Sequence, residues 1–234
     1  MKSKDFKMHQ KSKPDILLKF SAEFAALLTK RLPGIEAHER LAPSNRSELL
    51  KLGKNSPPPR MSSVLVLLYR EEDSVKLVFT KRCEYEGIHS GQVSFPGGKA
   101  EPEDSGLIDT ALRETQEEIG LFSKDIDIIG KLSDLYVPPS NFIIRPFVGI
   151  YEGLPHFIPN PEEVAEIFSV PLSYLLHYGE QINHPVTMSN GMKMQVPGFK
   201  FGHHLIWGAT AMILSEFLTL ATWCPSIANF SNQL

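Results

Sequence analysis

This chain has few cysteines and little net charge, and each of these features argues against a class of protein. Only Cys83 and Cys224 occur among the 234 residues, far apart and without a CxxC spacing, which argues against a disulfide scaffold and a structural zinc site. The balance of 24 Lys and Arg against 27 Asp and Glu provides no polybasic surface for a nucleic-acid backbone. We therefore expect no nucleic-acid partner, and the ordinary hydrophobic fraction of 42% predicts a globular protein.

The sequence also shows no pattern typical of a targeting peptide or a membrane-spanning segment. The lysine-rich N-terminal residues contain no apolar run before Ile16 and no arginine, so neither a secretory signal nor a mitochondrial transit peptide is predicted. Residues 205–224 are apolar but include Glu216, which favours a buried or amphipathic helix over a membrane span. These features predict a soluble cytoplasmic protein without a membrane partner.

Proline, by contrast, is abundant and divides the chain. The run Pro57–Pro59 separates residues 1–59, interpreted as a tail, a helix and a connector, from a domain at residues 60–234. Apolar residues at helical spacing predict a helix over residues 15–32, and Pro33-Gly34 would end it. The polar residues 42–60 are interpreted as the connector, because the prolines at its end fit neither regular helix nor central strand.

After residue 60 the apolar pattern changes between strand and helix without a regular repeat. Strands are predicted at residues 64–69, 75–80, 126–132 and 142–151, and helices at 105–119, 162–168, 172–177 and 207–223. Asn190-Gly191 predicts a hairpin between residues 186–188 and 194–196. This mixture favours an α/β or α+β domain with a mixed sheet and helices on its faces.

Three carboxylates are the densest chemical signal in the chain. At about 100° per residue, Glu114, Glu117 and Glu118 fall within an arc of about 100° on one helix face. Like charges at this spacing repel unless a cation neutralises them, and oxygen ligands select Mg2+ or Mn2+. The preceding Pro96-Gly97-Gly98 would let the backbone approach phosphate oxygens. A solvated acidic helix face after an ordinary Pro-Gly turn explains the same residues equally well.

Residues 95–121, FPGGKAEPEDSGLIDTALRETQEEIGL, resemble the Nudix box, in which Gly, five residues, Glu and seven residues precede Arg-Glu-U-x-Glu-Glu-x-Gly-U, where U is a bulky aliphatic. The second half matches from Arg113 to Leu121 except at Thr115. The first half departs further, because Asp104 replaces the Glu and eight residues rather than seven separate it from Arg113. The resemblance implies a Nudix-type α/β/α sandwich around a mixed β-sheet, here with an extra N-terminal helix.

The residues upstream resemble the signature of the coenzyme A diphosphatase branch of that family. Thr80, Arg82, Gly91 and residues 95–98 fall in register with it, whereas Gly87 stands where a second Arg is expected. The resemblance implies hydrolysis of coenzyme A or its thioesters to 3',5'-ADP and 4'-phosphopantetheine or its acyl form. The alternatives are hydrolysis of ADP-ribose or a nucleotide sugar, and a Nudix-fold binding module without turnover.

The resemblance also implies roles for particular residues. Glu114, Glu117, Glu118 and the Gly98 carbonyl are the expected metal ligands, and Arg113 is expected to orient a carboxylate. The general base is a box glutamate, Glu117 or Glu118, or the loop residue Glu163. The candidates for substrate binding are Arg82, Thr80, Arg60 and Gln92. The expected partner is a small nucleotide, and a homodimer is left open.

One further pair of residues has no role in this assignment. His203 and His204 are adjacent, but the sequence shows no third ligand at metal-binding spacing. We therefore interpret them as structural histidines.

Overall fold

The computed structural model describes residues 16–53, 57–84, 89–177, 182–187, 191 and 193–229. The N-terminal region holds three α-helices: α1 (Ile16–Leu28), α2 (Ile35–His38) and α3 (Arg46–Gly53). A short 3-10 segment, Glu39–Leu41, follows α2. Later helices are α4 (Leu107–Ile119), α5 (Leu172–His177) and α6 (Gly208–Ala221).

A mixed sheet forms the centre of the fold. Its strands are β1 (Arg60–Glu71), β2 (Ser74–Arg82), β3 (Val93–Ser94), β4 (Gly97–Lys99), β5 (Ile126–Lys131), β6 (Leu135–Val137), β7 (Phe142–Tyr151) and β8 (Val164–Pro171). The central strand β1 pairs parallel with β7 and antiparallel with β2 and β4. A second sheet contains β9 (Ile182–Thr187), β10 (Lys193–Phe201) and β11 (His204–Trp207).

The side chains of β1 alternate between two apolar layers, as expected for a strand that is buried on both faces. Leu65 and Leu67 pack in a cluster with residues of α4. Val66 and Leu68 pack in a larger cluster with residues of α1 and α6. The sheet therefore lies between helical layers, which confirms the predicted α/β/α sandwich and the N-terminal helix.

A buried carboxylate joins the N-terminal region to the rest of the fold. Glu216 in α6 is fully buried and accepts hydrogen bonds from the Gly34 amide at 3.0 Å and from His38 Nε2 at 3.0 Å. The amide and hydroxyl of Ser133 also donate to it, at 3.1 and 2.7 Å. Glu216 thus has hydrogen-bond partners on both of its carboxylate oxygens, which a buried charge requires.

Two secondary-structure predictions are wrong. Residues 162–168 were expected to be helical, but β8 begins at Val164 and pairs with β2 from Lys76 to Arg82. Its Ile167, Phe168 and Val170 are residue types that suit strands. The predicted connector at residues 42–60 contains the helix α3. The boundary between residues 59 and 60 stays a prediction.

The remaining long elements agree with their predictions. The hairpin predicted across Asn190-Gly191 corresponds to the antiparallel pair β9 and β10, although Asn190 lies outside the described residues. In the part of the chain that the structure describes, no helix is long and apolar enough to cross a membrane.

Candidate active site

Two adjacent glycines form a short strand at the base of the site. Gly97 and Gly98 in β4 pair with Val64 and Ser63 of β1. Gly97 has a φ of +147°, and a Cβ there would lie 2.3 Å from the Ser63 carbonyl oxygen. Only glycine fits that position, because it lacks the Cβ that would collide with the neighbouring strand.

Helix α4 approaches these glycines closely through its glutamates. The Gly97 amide donates a hydrogen bond to Glu118 Oε2 at 3.1 Å. A Cβ on Gly98 would lie 2.3 Å from the carboxyl carbon of Glu114. Gly98 therefore leaves the space in which the Glu114 carboxylate lies against the backbone.

Glu114, Glu118 and Glu163 form a carboxylate cluster, with one oxygen of each within 4.8 Å of the others. Burial raises the pKa of Glu118 to about 7 against the opposing effects of Arg82 and the Gly97 amide, and it also raises the pKa of Glu114. A bound cation would stabilise these carboxylates, because like charges that are close together and partly desolvated destabilise one another. A donor set made only of oxygen fits a hard divalent ion such as Mg2+ or Mn2+.

Arg113 holds the other acidic groups of the box in place. Its Nη1 lies 3.0 Å from Glu114 Oε1 and 3.0 Å from Glu117 Oε2. Its Nε and Nη2 donate to the two carboxylate oxygens of Asp104 at 2.9 and 3.1 Å. The arginine thus contacts carboxylates, as the sequence predicts.

Asp104 explains how the irregular first half of the box is accommodated. Its Oδ2 also accepts hydrogen bonds from the Glu101 amide at 2.9 Å and the Thr110 hydroxyl at 2.7 Å. The hydrogen bonds from Arg113 lower the pKa of Asp104. Residues 100–106 lie outside any helix or strand, so this loop absorbs the additional residue while Asp104 still reaches Arg113.

Glu117 occupies a different environment from the cluster. Its side chain is 53% exposed and is held by Arg113, whereas Glu118 is 2% exposed. Arg113 contacts both Glu117 and Glu114, which lie on the same helix face. The role of Glu117 as a metal ligand stays a prediction.

A cavity of about 510 Å3 opens beside the carboxylate cluster. Arg82 lines it, with its Nη2 3.9 Å from Glu118 Oε1. Gln92 also lines it, and its Oε1 lies 3.1 Å from His89 Nδ1. These two predicted substrate-binding residues therefore face the space next to the cluster.

The other two predicted substrate-binding residues do not line this cavity. Thr80 is 1% exposed, and its hydroxyl lies 3.1 Å from that of Ser94, so it joins β2 to β3. Arg60 lies over the Phe142 ring, 4.1 Å from the ring centroid. Phe142 itself lines the cavity, so Arg60 contacts a residue of the cavity wall.

Residues of the N-terminal region also reach the site, which the sequence analysis did not predict. Asn45, Arg46 and Leu49 line the cavity. Arg46 Nη2 donates to the Tyr136 carbonyl at 2.9 Å, and burial lowers the pKa of Arg46 against the effect of Glu39. Among the described residues no carboxylate lies within 4.0 Å of this guanidinium. No local motif marks these residues, because their position depends on how α3 packs.

Comparisons with known proteins show the family to which the chain belongs. Residues 59–188 match the NUDIX domain, more than half of the chain, and the chain belongs to the Nudix hydrolase family. It is 34% identical over 178 residues to the human mitochondrial coenzyme A diphosphatase NUDT8, covering 74% of this chain and 75% of that protein. It is 36% identical over 165 residues to the uncharacterized Nudix hydrolase NudL of Yersinia pestis, covering 66% and 76%.

Solved structures of Nudix hydrolases also resemble the chain. The enzyme from Alicyclobacillus acidocaldarius has a TM-score of 0.49 at 16% identity, over 74% of this chain and 96% of that one. RenU from M. smegmatis has a TM-score of 0.48 at 12% identity, over 70% and 86%.

Proposed function

We propose that this chain hydrolyses the diphosphate bond of coenzyme A or its thioesters, giving 3',5'-ADP and 4'-phosphopantetheine or its acyl form. One observation carries the proposal: the carboxylate cluster opens into a cavity that two guanidinium groups, Arg82 and Arg46, also line. Coenzyme A carries a diphosphate and a separate 3'-phosphate, and guanidinium groups bind phosphate through paired hydrogen bonds. The resemblance to the coenzyme A diphosphatase signature and to human NUDT8 supports the same substrate.

The proposed metal ligands are Glu114, Glu117, Glu118 and the Gly98 carbonyl. Glu163 is a further candidate ligand, because a carboxylate oxygen of it lies within 4.8 Å of those of Glu114 and Glu118. A bound Mg2+ or Mn2+ would neutralise phosphate charge and lower the pKa of a coordinated water. Arg113 contributes by fixing Glu114 and Glu117, since a ligand held in one orientation loses less freedom when it binds.

Glu163 is the proposed general base outside the helix. Its backbone carbonyl accepts a hydrogen bond from the Cys83 amide at 2.9 Å, and its amide donates to Asn160 at 3.2 Å. This anchors the residue to the end of β2, and its carboxylate meets the two box glutamates. A base needs both this reach and an ionised carboxylate, and a role as ligand alone is the alternative.

The arginine in α3 supports coenzyme A over ADP-ribose. ADP-ribose contains the diphosphate but no further phosphate, so it offers no third anion for Arg46. A binding module without turnover is disfavoured because Glu114 and Glu118 are both in place beside the glycine strand. The cytoplasmic location and a homodimer stay predictions.

A substrate panel with Mg2+ tests the proposed function. The rates kcat/KM are compared for coenzyme A, dephospho-coenzyme A, ADP-ribose and diadenosine polyphosphates, and the products are identified by mass. We expect coenzyme A or a thioester to be preferred by at least about tenfold, the effect of one charge-assisted contact. A preference for ADP-ribose would overturn the substrate assignment, and tight binding of coenzyme A without turnover would indicate the binding module.

A further inference from the structure

A second cluster of metal-ligating side chains lies at the turn between β10 and β11. Phe201 pairs with His204, so Gly202 and His203 form the turn, and Gly202 has a φ of +58°. Adjacent residues in a strand point to opposite faces, but this turn brings the rings of His203 and His204 to 4.0 Å between centroids. Both imidazoles then point toward one carboxylate.

That carboxylate is Glu166 in β8. His204 Nε2 lies 3.2 Å from Glu166 Oε1, and His203 Nε2 lies 3.6 Å from Glu166 Oε2. One ligand atom from each of the three residues lies within 4.8 Å of the others. With metal–ligand bonds of about 2.0–2.2 Å, neighbouring ligands of tetrahedral Zn2+ are about 3.4 Å apart, so small side-chain adjustments would complete the geometry.

His204 is the buried member of this cluster, and its ring is held in place by packing. His204 is 6% exposed, and its ring lies flat on that of Phe168, at 3.7 Å and 3°. Burial lowers the pKa of His204, and His203 and Lys81 lower it further against the effect of Glu166.

We propose that Glu166, His203 and His204 bind a Zn2+ ion, or a similar borderline transition-metal ion, with water in the remaining position. Two imidazoles and one carboxylate are a donor set that suits Zn2+, whereas the carboxylate cluster offers only oxygen and suits Mg2+ or Mn2+. The two sites share no residue. The sequence missed this one because Glu166 is distant in the chain and lies in a segment expected to be helical.

An ion at this position would join the two sheets. Glu166 belongs to β8, which pairs with β2 in the main sheet, while His204 begins β11 of the smaller sheet. A ligand that binds only the folded protein stabilises it by mass action. We therefore expect Zn2+ to raise the unfolding temperature without being required for hydrolysis.

Titration of the metal-free protein with Zn2+ tests the proposal. Calorimetry is performed with excess Mg2+ present to occupy the carboxylate cluster, and Co2+ absorption reports the nitrogen ligands. We expect one Zn2+ site that Mg2+ does not displace. His203→Ala and Glu166→Gln should each weaken it by at least about tenfold, while the exposed His156→Ala serves as the matched control and should bind as the wild type does.

His203 is 73% exposed, so its replacement should leave the fold intact, as circular dichroism would verify. Absence of a Mg2+-resistant Zn2+ site in the wild type would overturn the proposal. Unchanged Zn2+ affinity in both variants would overturn it as well. Neither result depends on which diphosphate the chain hydrolyses.

Discussion

At the scale of single residues, the two glycines of β4 are needed for different reasons. Gly97 has a backbone conformation that other residues rarely adopt, and a Cβ there would strike β1. Gly98 has an ordinary φ, but a Cβ there would collide with the Glu114 carboxylate. A substitution at Gly98 therefore acts on a proposed ligand and not on the backbone.

We expect Gly98→Ala to lower kcat/KM by about 100-fold, because the added methyl group displaces Glu114 by about an ångström. Steady-state hydrolysis with Mg2+ measures the loss. Gly106→Ala is the matched control, since a Cβ at Gly106 meets nothing within 4 Å. Equal activity of the two variants would contradict a role for Glu114 beside Gly98.

Much of the acidic site could be predicted from local sequence, because helical periodicity alone places Glu114 and Glu118 on one face. The contacts of Arg113 with carboxylates were expected too. Glu163 was named as a candidate base only because of the family resemblance. Helical periodicity could not place it near Glu114 and Glu118, since it lies far along the chain. Arg46 could not be found, because a lone arginine in a polar segment gives no local signal.

At the scale of elements, the helix α3 makes the N-terminal region part of the candidate site. Its sequence RSELLKLG mixes polar residues with three leucines, and a helix of eight residues is too short to show clear periodicity. The hydrogen bond from Arg46 to the Tyr136 carbonyl connects the start of α3 to the middle of β6. The segment expected to be a connector is therefore one wall of the cavity.

We expect Arg46→Ala to reduce the preference for coenzyme A over dephospho-coenzyme A by about tenfold or more, because one charge-assisted contact to the 3'-phosphate is lost. The ratio of the two kcat/KM values measures it. Arg40→Ala is the control, since Arg40 is exposed and its Nη1 bonds to Thr219. An equal loss on both substrates would place Arg46 elsewhere than at the 3'-phosphate.

The strand β8 shows why short elements are hard to predict. Residues 162–168 contain three glutamates and the aliphatic residues Val164 and Ile167 at spacings that suit a helical turn. Pairing with seven residues of β2 provides backbone hydrogen bonds that outweigh this weak local preference. Such long-range pairing is invisible in a single window of sequence.

At the scale of the whole molecule, Glu216 makes the N-terminal region part of one cooperative unit. Phe20 and Phe24 of α1 pack in the same cluster as Phe217 of α6, and the adjacent Glu216 binds Gly34, His38 and Ser133. A mixed sheet with helices on its faces was predictable from the apolar pattern, and the α/β/α order followed from the family resemblance. The connection through Glu216 was not predictable, because its partners lie far away in the sequence.

We expect Glu216→Gln to lower the free energy of unfolding by about 2 kcal/mol, because the amide nitrogen of Gln cannot accept the hydrogen bonds made to one carboxylate oxygen and leaves buried donors unpaired. Urea unfolding measures it, with the exposed Glu36→Gln as control, and a single transition should remain. A separate early transition in the wild type would contradict the cooperative unit.

The stability of the fold should also fall at low pH, because Glu216 becomes protonated there. Burial alone would raise the pKa of Glu216, but the hydrogen bonds from His38 and Ser133 outweigh it, so the pKa is lowered. Its stabilising contribution is therefore present above the unfolded pKa, near 4.5, and is lost as the pH falls through the folded value. In Glu216→Gln this part of the acid dependence should be absent.

The pairing of β4 with β1 lowers the entropy cost of binding a ligand beside the two glycines. Fixing the backbone of a free residue costs about 1–2 kcal/mol of conformational entropy. Because Gly97 and Gly98 are already held as a strand, that cost is met when the chain folds, and a diphosphate binding beside them does not have to supply it. These glycines thus give close approach without flexibility, and the enzyme keeps more of the binding free energy for the reaction.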